Sequence, residues 1–237
     1  MEHASEPQRT APADDRLVQE CLARLKDRDP LPRAQAVLQL ALVGGCGSTA
    51  VMALSDMLAD RVMHIRRLAA AALGECGPAA RQAVPALVRA LQDPEEAVRR
   101  TAAMALGEIG PDARQAAHAL VRALQADTAS VARWAAAALG AIGTAAPVAI
   151  PALVEALGHA NIRNRTVAAV ALTRIGVRTV PRLMDALQHP SAEVRVLAAR
   201  ILARIAPSDA HTALPPLLAD PDPDVRATIM DLLEEKN

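Results

Sequence analysis

One leucine recurs along this chain at Leu40, Leu73, Leu106, Leu139, Leu172, Leu202 and Leu233, and the first four steps are 33 residues each. A second series, Leu25, Leu58, Leu91, Leu124, Leu157, Leu187 and Leu218, keeps the same spacing, and an alanine series runs in phase through Ala36, Ala69, Ala102, Ala135, Ala168 and Ala198. Three series in register confine the chain to a repeat architecture, in which one supersecondary unit is copied about seven times. Gly44, Gly77, Gly110, Gly143 and Gly176 close successive units, where a glycine can take the left-handed conformation that ends a helix.

The unit from Pro78 to Gly110 divides at Asp93-Pro94 into two helical stretches. Val84, Leu87, Val88 and Leu91 give the first an apolar stripe at helical spacing, and Val98, Ala102, Ala105, Leu106 and Ile109 do so for the second. Asp93 reads as an N-cap, with Pro94 at the first helical position and Glu96 at the third. Two short antiparallel helices with one apolar side cannot close a core alone, so successive units must stack and share it. The fold class expected is therefore all-α, an α-α superhelix. Between the fifth and sixth units the step falls to 30 residues, because Thr144–Pro151 is answered by the shorter Val177–Pro181, a deletion placed in a loop. The core must be built without large rings, since Trp134 is the only aromatic residue; Leu, Val, Ile and abundant Ala replace them, and Ala lets helices approach closely.

The repeat pattern sets residues 16–237 as a single solenoid and leaves the polar stretch 1–15 as a disordered tail without the apolar segment of a signal peptide. Trp134–Val154 carries no charge and is long enough to span a bilayer, but it is broken by Pro147 and Pro151 and already explained by the repeat, so no membrane insertion is expected. Basic and acidic residues number 26 each, so no overall field steers the chain to nucleic acid or an anionic membrane. Cys21, Cys46 and Cys76 form no CxxC or Cys/His cluster. They are expected as reduced, buried thiols, with the cytoplasm as the default compartment.

The consensus PALVxALxDxxxxVRxxAAxALGxIG resembles the HEAT repeat, in the short bacterial form called the phycobilisome-lyase HEAT-like repeat, from about Arg16 to the C-terminus. Its most specific element is an Asp in the turn within each unit followed six residues later by Arg: Asp27/Arg33, Asp60/Arg66, Asp93/Arg99 and Asp220/Arg226. The resemblance implies that these form a hydrogen-bonded ladder between successive turns, a structural role. The pattern lapses in the fourth to sixth units, where Ala126 and Ala132 replace the pair and His159 and His189 replace the Asp, so an interruption is expected there. Ankyrin repeats would show a TPLH-type opening, and tetratricopeptide repeats bulky aromatics at fixed places; neither is present.

On a helical wheel the side of each second helix opposite Val98, Ala102, Ala105 and Ile109 carries Arg67, Ala70 and Gly74, then Arg100, Ala103 and Gly107, then Arg133, Ala136 and Gly140, then Thr166, Ala169 and Thr173. The resemblance places that side on the concave surface. Arginines at repeat spacing among small residues suit carboxylates of an acidic peptide or protein segment, with the alternative that they pair with Glu95, Glu96 and Glu108. Trp134 sits beside Arg133, either as a contact for a partner or as packing between repeats. His159 and His189 fall at matching turn positions, about 10 Å apart by helix spacing, too far to share a metal without further ligands. No His is followed by Glu, which excludes the iron site of the deoxyhypusine-hydroxylating relatives, and the neutral charge and single aromatic argue against the HEAT-like glycosylases. No catalytic motif, cofactor or metal site is read, nor does the chain point to a nucleic acid or small-molecule ligand. The function expected is a non-catalytic scaffold for another protein or peptide, with Arg67, Arg100, Ala103, Arg133, Trp134 and Thr166 on the contact face. The family name adds a second reading, a phycobilin chromophore lyase or isomerase subunit, and a regulatory subunit of a larger complex is a third.

Overall fold

The structure, a computed structural model, describes residues 11–43 and 46–234. Its α-helices pair into seven units: α1 (Ala11–Arg24) with α2 (Pro30–Val43), α3 (Ser48–Met57) with α4 (Met63–Glu75), α5 (Val84–Ala90) with α6 (Glu96–Ile109), and α7 (Ala117–Ala126) with α8 (Ala129–Ile142). They continue with α9 (Ile150–Ala156) and α10 (Ile162–Ile175), α11 (Val180–Ala186) and α12 (Ala192–Ile205), and α13 (Pro207–Ala213) and α14 (Pro223–Glu234). No strand occurs among the described residues. Helix α1 begins at Ala11, ahead of the expected start of the solenoid at Arg16, and residues 1–10 lie outside the described residues.

The unit ends follow from their glycines. Gly77, Gly110, Gly143 and Gly176 have φ of 53°, 70°, 64° and 75°, the left-handed turn in which a Cβ would be strained, while Gly44 lies outside the described residues. The unit starts differ from expectation: α6 begins at Glu96, and Glu95 is its N-cap residue. The Asp93 carboxylate still accepts the Glu95 N–H, two residues on, but as a turn that precedes the helix, because its oxygens are also committed to an arginine of the preceding unit.

Second helices stack directly on one another, α2 on α4, α4 on α6, α6 on α8 and α8 on α10. Small residues make this possible. A Cβ added at Gly74 would lie 3.1 Å from the Ala105 Cα, one at Gly107 3.1 Å from the Ala138 Cα, and one at Gly140 2.7 Å from the Ala171 Cα. The residues one turn earlier, Ala70, Ala103 and Ala136, are at most 1% exposed. The wheel's outward side is thus largely the seam between units, because each second helix is covered by the second helices before and after it as well as by its own first helix. In the fifth unit Thr173 stands where the earlier units have glycine, and α12 packs on α10 far less extensively than α10 on α8.

The thiols depart from expectation. Cys46 and Cys76 are joined in a disulfide, their Cα atoms 5.3 Å apart although 30 residues separate them in sequence. Stacking brings the ends of α2 and α4 together, and the near-repeat spacing of the two cysteines puts both sulfurs at that junction. Cys21 is free and buried, and burial pushes its thiol pKa up. None of the described helices is long and apolar enough to cross a membrane.

A Gly140→Ala variant tests the seam. Alanine gains helix propensity of roughly 1 kcal/mol over glycine, but the new methyl meets the backbone of α10, which cannot rotate away. The net is expected to be destabilising by up to about 2 kcal/mol, since overpacking costs roughly 1–3 kcal/mol. Denaturant unfolding reads it, and a raised midpoint would contradict the close contact.

Candidate functional site

Arginines of the second helices tie each turn to the next. Arg33 Nε and Nη2 donate to the Asp60 carboxylate at 2.7 and 3.0 Å, while its Nη1 donates to the backbone carbonyls of Asp27 and Arg28. Arg66 repeats this on Asp93 at 2.6 and 2.8 Å and on the Asp60 carbonyl. Each guanidinium therefore caps the turn of its own unit and forks the carboxylate of the following one. The aspartates and arginines of the motif thus join between turns, with Asp27 and Arg226 at the two ends bonding only within their own turns among the described residues.

The expected interruption is narrower than the sequence implied. Arg99 forks Asp127, one residue beyond Ala126, at 2.7 and 2.8 Å, because the longer α7 places that carboxylate where the aspartate of other units lies. Arg195 forks Asp220 at 2.9 and 2.7 Å, and Arg165 pairs with Glu193 at 2.5 Å. His159 and His189 take over the local role of the missing aspartates, their Nδ1 atoms accepting the backbone N–H of Asn161 and Ser191 at 3.0 and 3.1 Å. Between units, only Ala132 supplies no rung among the described residues, so the junction between the fourth and fifth units is the one the ladder skips.

For Asp60 and Asp93, burial opposes ionisation, but the guanidinium forks of Arg33 and Arg66 and a backbone N–H outweigh it, holding both carboxyls below the ordinary range. For Asp127 and Asp220 the forks of Arg99 and Arg195 are the largest influence, with the same net direction. Glu108 moves the opposite way: burial, with the charge of Glu75 added, pushes its pKa up. Its carboxylate lies over Gly74 of the preceding unit.

Second helices expose one narrow ridge. Arg67, Arg100 and Arg133 lie on it, partly exposed, and no carboxylate pairs with any of them among the described residues, so the alternative pairing with Glu95, Glu96 or Glu108 is not formed. Thr166 follows in the same row, exposed, its hydroxyl donating to the Ile162 carbonyl. Ala103 does not belong to this face; it is buried in the α4–α6–α8 seam and cannot touch a partner. Trp134 is half-buried against the core, with the Arg133 guanidinium 5.9 Å from its ring centroid. Further unpaired arginines, Arg163, Arg174, Arg200 and Arg204, extend the exposed ridge through the fifth and sixth units.

The sequence reading missed a cleft of about 530 Å³ between the N-terminal ends of α8 and α10, bordered by Ser130, Arg133, Asn161, Arg163 and Asn164. The signal was available: in the column of Ile65, Val98, Val131, Val194 and Val225, the fifth unit has Asn164.

A model described as HEAT repeats matches residues 64–140 and 180–235, together more than half of the chain. The chain belongs to the HEAT-repeat family. A second model, the PBS lyase HEAT-like repeat, matches residues 131–159. Among solved structures, the complex of CpcE and CpcF of phycocyanin lyase from Nostoc sp. PCC7120 contains a similar chain, 27% identical over 99% of this chain and 97% of that one, with a TM-score of 0.59. A designed armadillo repeat protein in complex with the peptide (KR)4 is 19% identical over 93% and 99% of the two chains, with a TM-score of 0.56. An archaeal HEAT-like repeats protein from Thermococcus onnurineus NA1 is 13% identical over 97% of each, with a TM-score of 0.53. The last two show the shared solenoid fold. No curated protein matches the sequence.

The ladder carries a pH signature. Because its aspartates have depressed folded-state pKa values, their contribution is complete above the unfolded carboxylate value of about 4 and is lost as pH falls through the folded values. Asp93→Ala is expected to cost about 3 kcal/mol at neutral pH, since it leaves the largely buried Arg66 unpaired. The variant should also lose stability less steeply than wild type between pH 4 and pH 2. Equal acid dependence of the two proteins, followed by circular dichroism, would contradict the assignment.

Proposed function

We propose that this HEAT-repeat chain is a non-catalytic scaffold that holds an acidic segment of another protein along the concave ridge of its second helices. The observation that carries this reading is the row Arg67, Arg100 and Arg133: three partly exposed guanidinium groups in repeat register, each without a carboxylate partner among the described residues. A guanidinium left unpaired on an exposed ridge presents two parallel N–H donors to any carboxylate that reaches it. Regular spacing lets one extended segment engage several arginines, so that modest single contacts accumulate. Glu75 and Glu108 stand about 12 Å along the helices from the arginines, at 1.5 Å per residue, and repel an acidic segment that strays from the row.

A second reading is favoured by the chain of the phycocyanin lyase complex, similar over nearly its whole length. On that reading this protein is one subunit of a phycobilin chromophore lyase, and its ridge meets the partner chain. Co-purification with a coloured tetrapyrrole, from cells that make one, would favour it over the scaffold.

The scaffold reading is tested by fluorescence anisotropy with a labelled oligoglutamate peptide, beside capture of partners from native lysate read by mass spectrometry. Arg67→Ala/Arg100→Ala/Arg133→Ala should weaken peptide binding at least tenfold, roughly 1.4 kcal/mol, and wild-type binding should weaken as salt rises from 50 to 300 mM. Equal binding by wild type and the triple variant would remove the ridge from consideration.

A further inference from the structure

Asn164 is the one described residue whose buried side-chain nitrogen and oxygen both lack a protein hydrogen-bond partner. It is 3% exposed and occupies a column that in the other units from the second to the seventh is apolar and buried, at Ile65, Val98, Val131, Val194 and Val225. An amide buried without partners is costly, and the repeat supplies an obvious cheaper choice in valine. The cost falls at the one junction that the arginine ladder skips, between the fourth and fifth units. There α8 and α10 touch closely through Gly140 and Ala171 near their C-terminal ends, while a cleft of about 530 Å³ separates their N-terminal ends. Asn164 lines this cleft.

The surroundings define the chemistry that fits. Arg133 and Arg163 border the cleft, neither paired with a carboxylate among the described residues, and Ser130 adds a hydroxyl. The N-terminal ends of α8 and α10, each 14 residues long, contribute positive dipole ends. Cationic donors on the rim select an oxyanion. The Asn164 amide needs more than that, because its nitrogen requires an acceptor and its oxygen a donor. A free carboxylate supplies only acceptors. An acidic residue within a polypeptide supplies both: its side-chain carboxylate for the arginines, and its own peptide C=O and N–H for the two ends of the asparagine amide.

We infer that the cleft at Asn164 is a specificity notch that takes one Asp or Glu residue of a bound polypeptide, its carboxylate between Arg133 and Arg163 and its peptide group on the Asn164 amide. The notch rests on the scaffold reading, which it deepens by fixing the register of the acidic segment at one point of the ridge. Arg133 belongs to both, as the last arginine of the row and the first wall of the notch.

Asn164→Val restores the repeat's own residue and separates the roles. If the amide serves a ligand, the variant melts higher, by about 2–4 °C, and binds N-acetylated, C-amidated hexaglutamate at least tenfold more weakly than wild type. In 15N-labelled wild type, hexaglutamate should shift the Asn164 side-chain NH2 resonances, identified by their absence from the variant. Glutarate and inorganic phosphate, which carry oxyanions without a peptide group, should not. Arg67→Ala/Arg100→Ala, outside the notch, should weaken affinity yet leave the Asn164 shift at saturation intact.

Three results would overturn the notch: a lower melting temperature for Asn164→Val, equal peptide affinity of variant and wild type, or an Asn164 shift reproduced by glutarate or phosphate alone. If hexaglutamate binds and depends on Arg67 and Arg100 but not on Asn164, the notch falls and the scaffold stands. If it does not bind wild type, both fall.

Discussion

The close approach of consecutive second helices is the constraint on which the rest of the structure depends. At Gly74, Gly107 and Gly140 the next helix comes so near that a methyl group would meet its backbone. Such contact is available only to a sequence that spends alanine and glycine where other all-helical proteins spend large rings, and this explains a core with a single aromatic side chain. It also explains why the second helices are nearly covered. With a first helix on one side and a second helix on each flank, little more than a ridge of every third or fourth residue reaches solvent, so whatever the solenoid recognises along these helices, it recognises through that ridge.

The arginine ladder works at the opposite end of the units and on a different principle. Small-residue contacts set how near two units lie but are weakly directional, whereas a planar guanidinium fixed by its own turn's carbonyls reaches the next aspartate in one orientation only. Distance and rotation between units are thereby fixed by separate residues. At the fourth-to-fifth junction the glycine contact persists and the rung does not, and there the N-terminal ends of α8 and α10 stand apart across a cleft.

Periodicity made the architecture legible, since three series in phase determine unit length, helix pairing and the glycine at each unit's end before any coordinate is known. What it hid follows from its own logic. A fixed offset of six residues located Asp27/Arg33 but missed that Arg99 reaches Asp127, because a longer helix moves the carboxylate by one position, which a position-by-position comparison does not register. A wheel drawn for one helix assigned Ala103 to an outward face, because a wheel knows one neighbour and a stacked helix has three. The cysteine spacing of 30, close to the repeat, was a usable sign that Cys46 and Cys76 would meet, but the absence of any CxxC pattern drew attention away from it.

A repeat protein offers something that a singular fold does not, namely several internal copies of each position as its own reference. Six buried apolar residues in a column would require no comment, while five and an asparagine do, since the physics that selected valine elsewhere applies equally in the fifth unit. A departure that weakens packing with no compensating contact inside the chain directs attention outside it. The arginine row stands out by the same comparison: the alanines and glycines beside Arg67, Arg100 and Arg133 are required by the seam, but packing does not require three guanidinium groups in register without a carboxylate partner among the described residues.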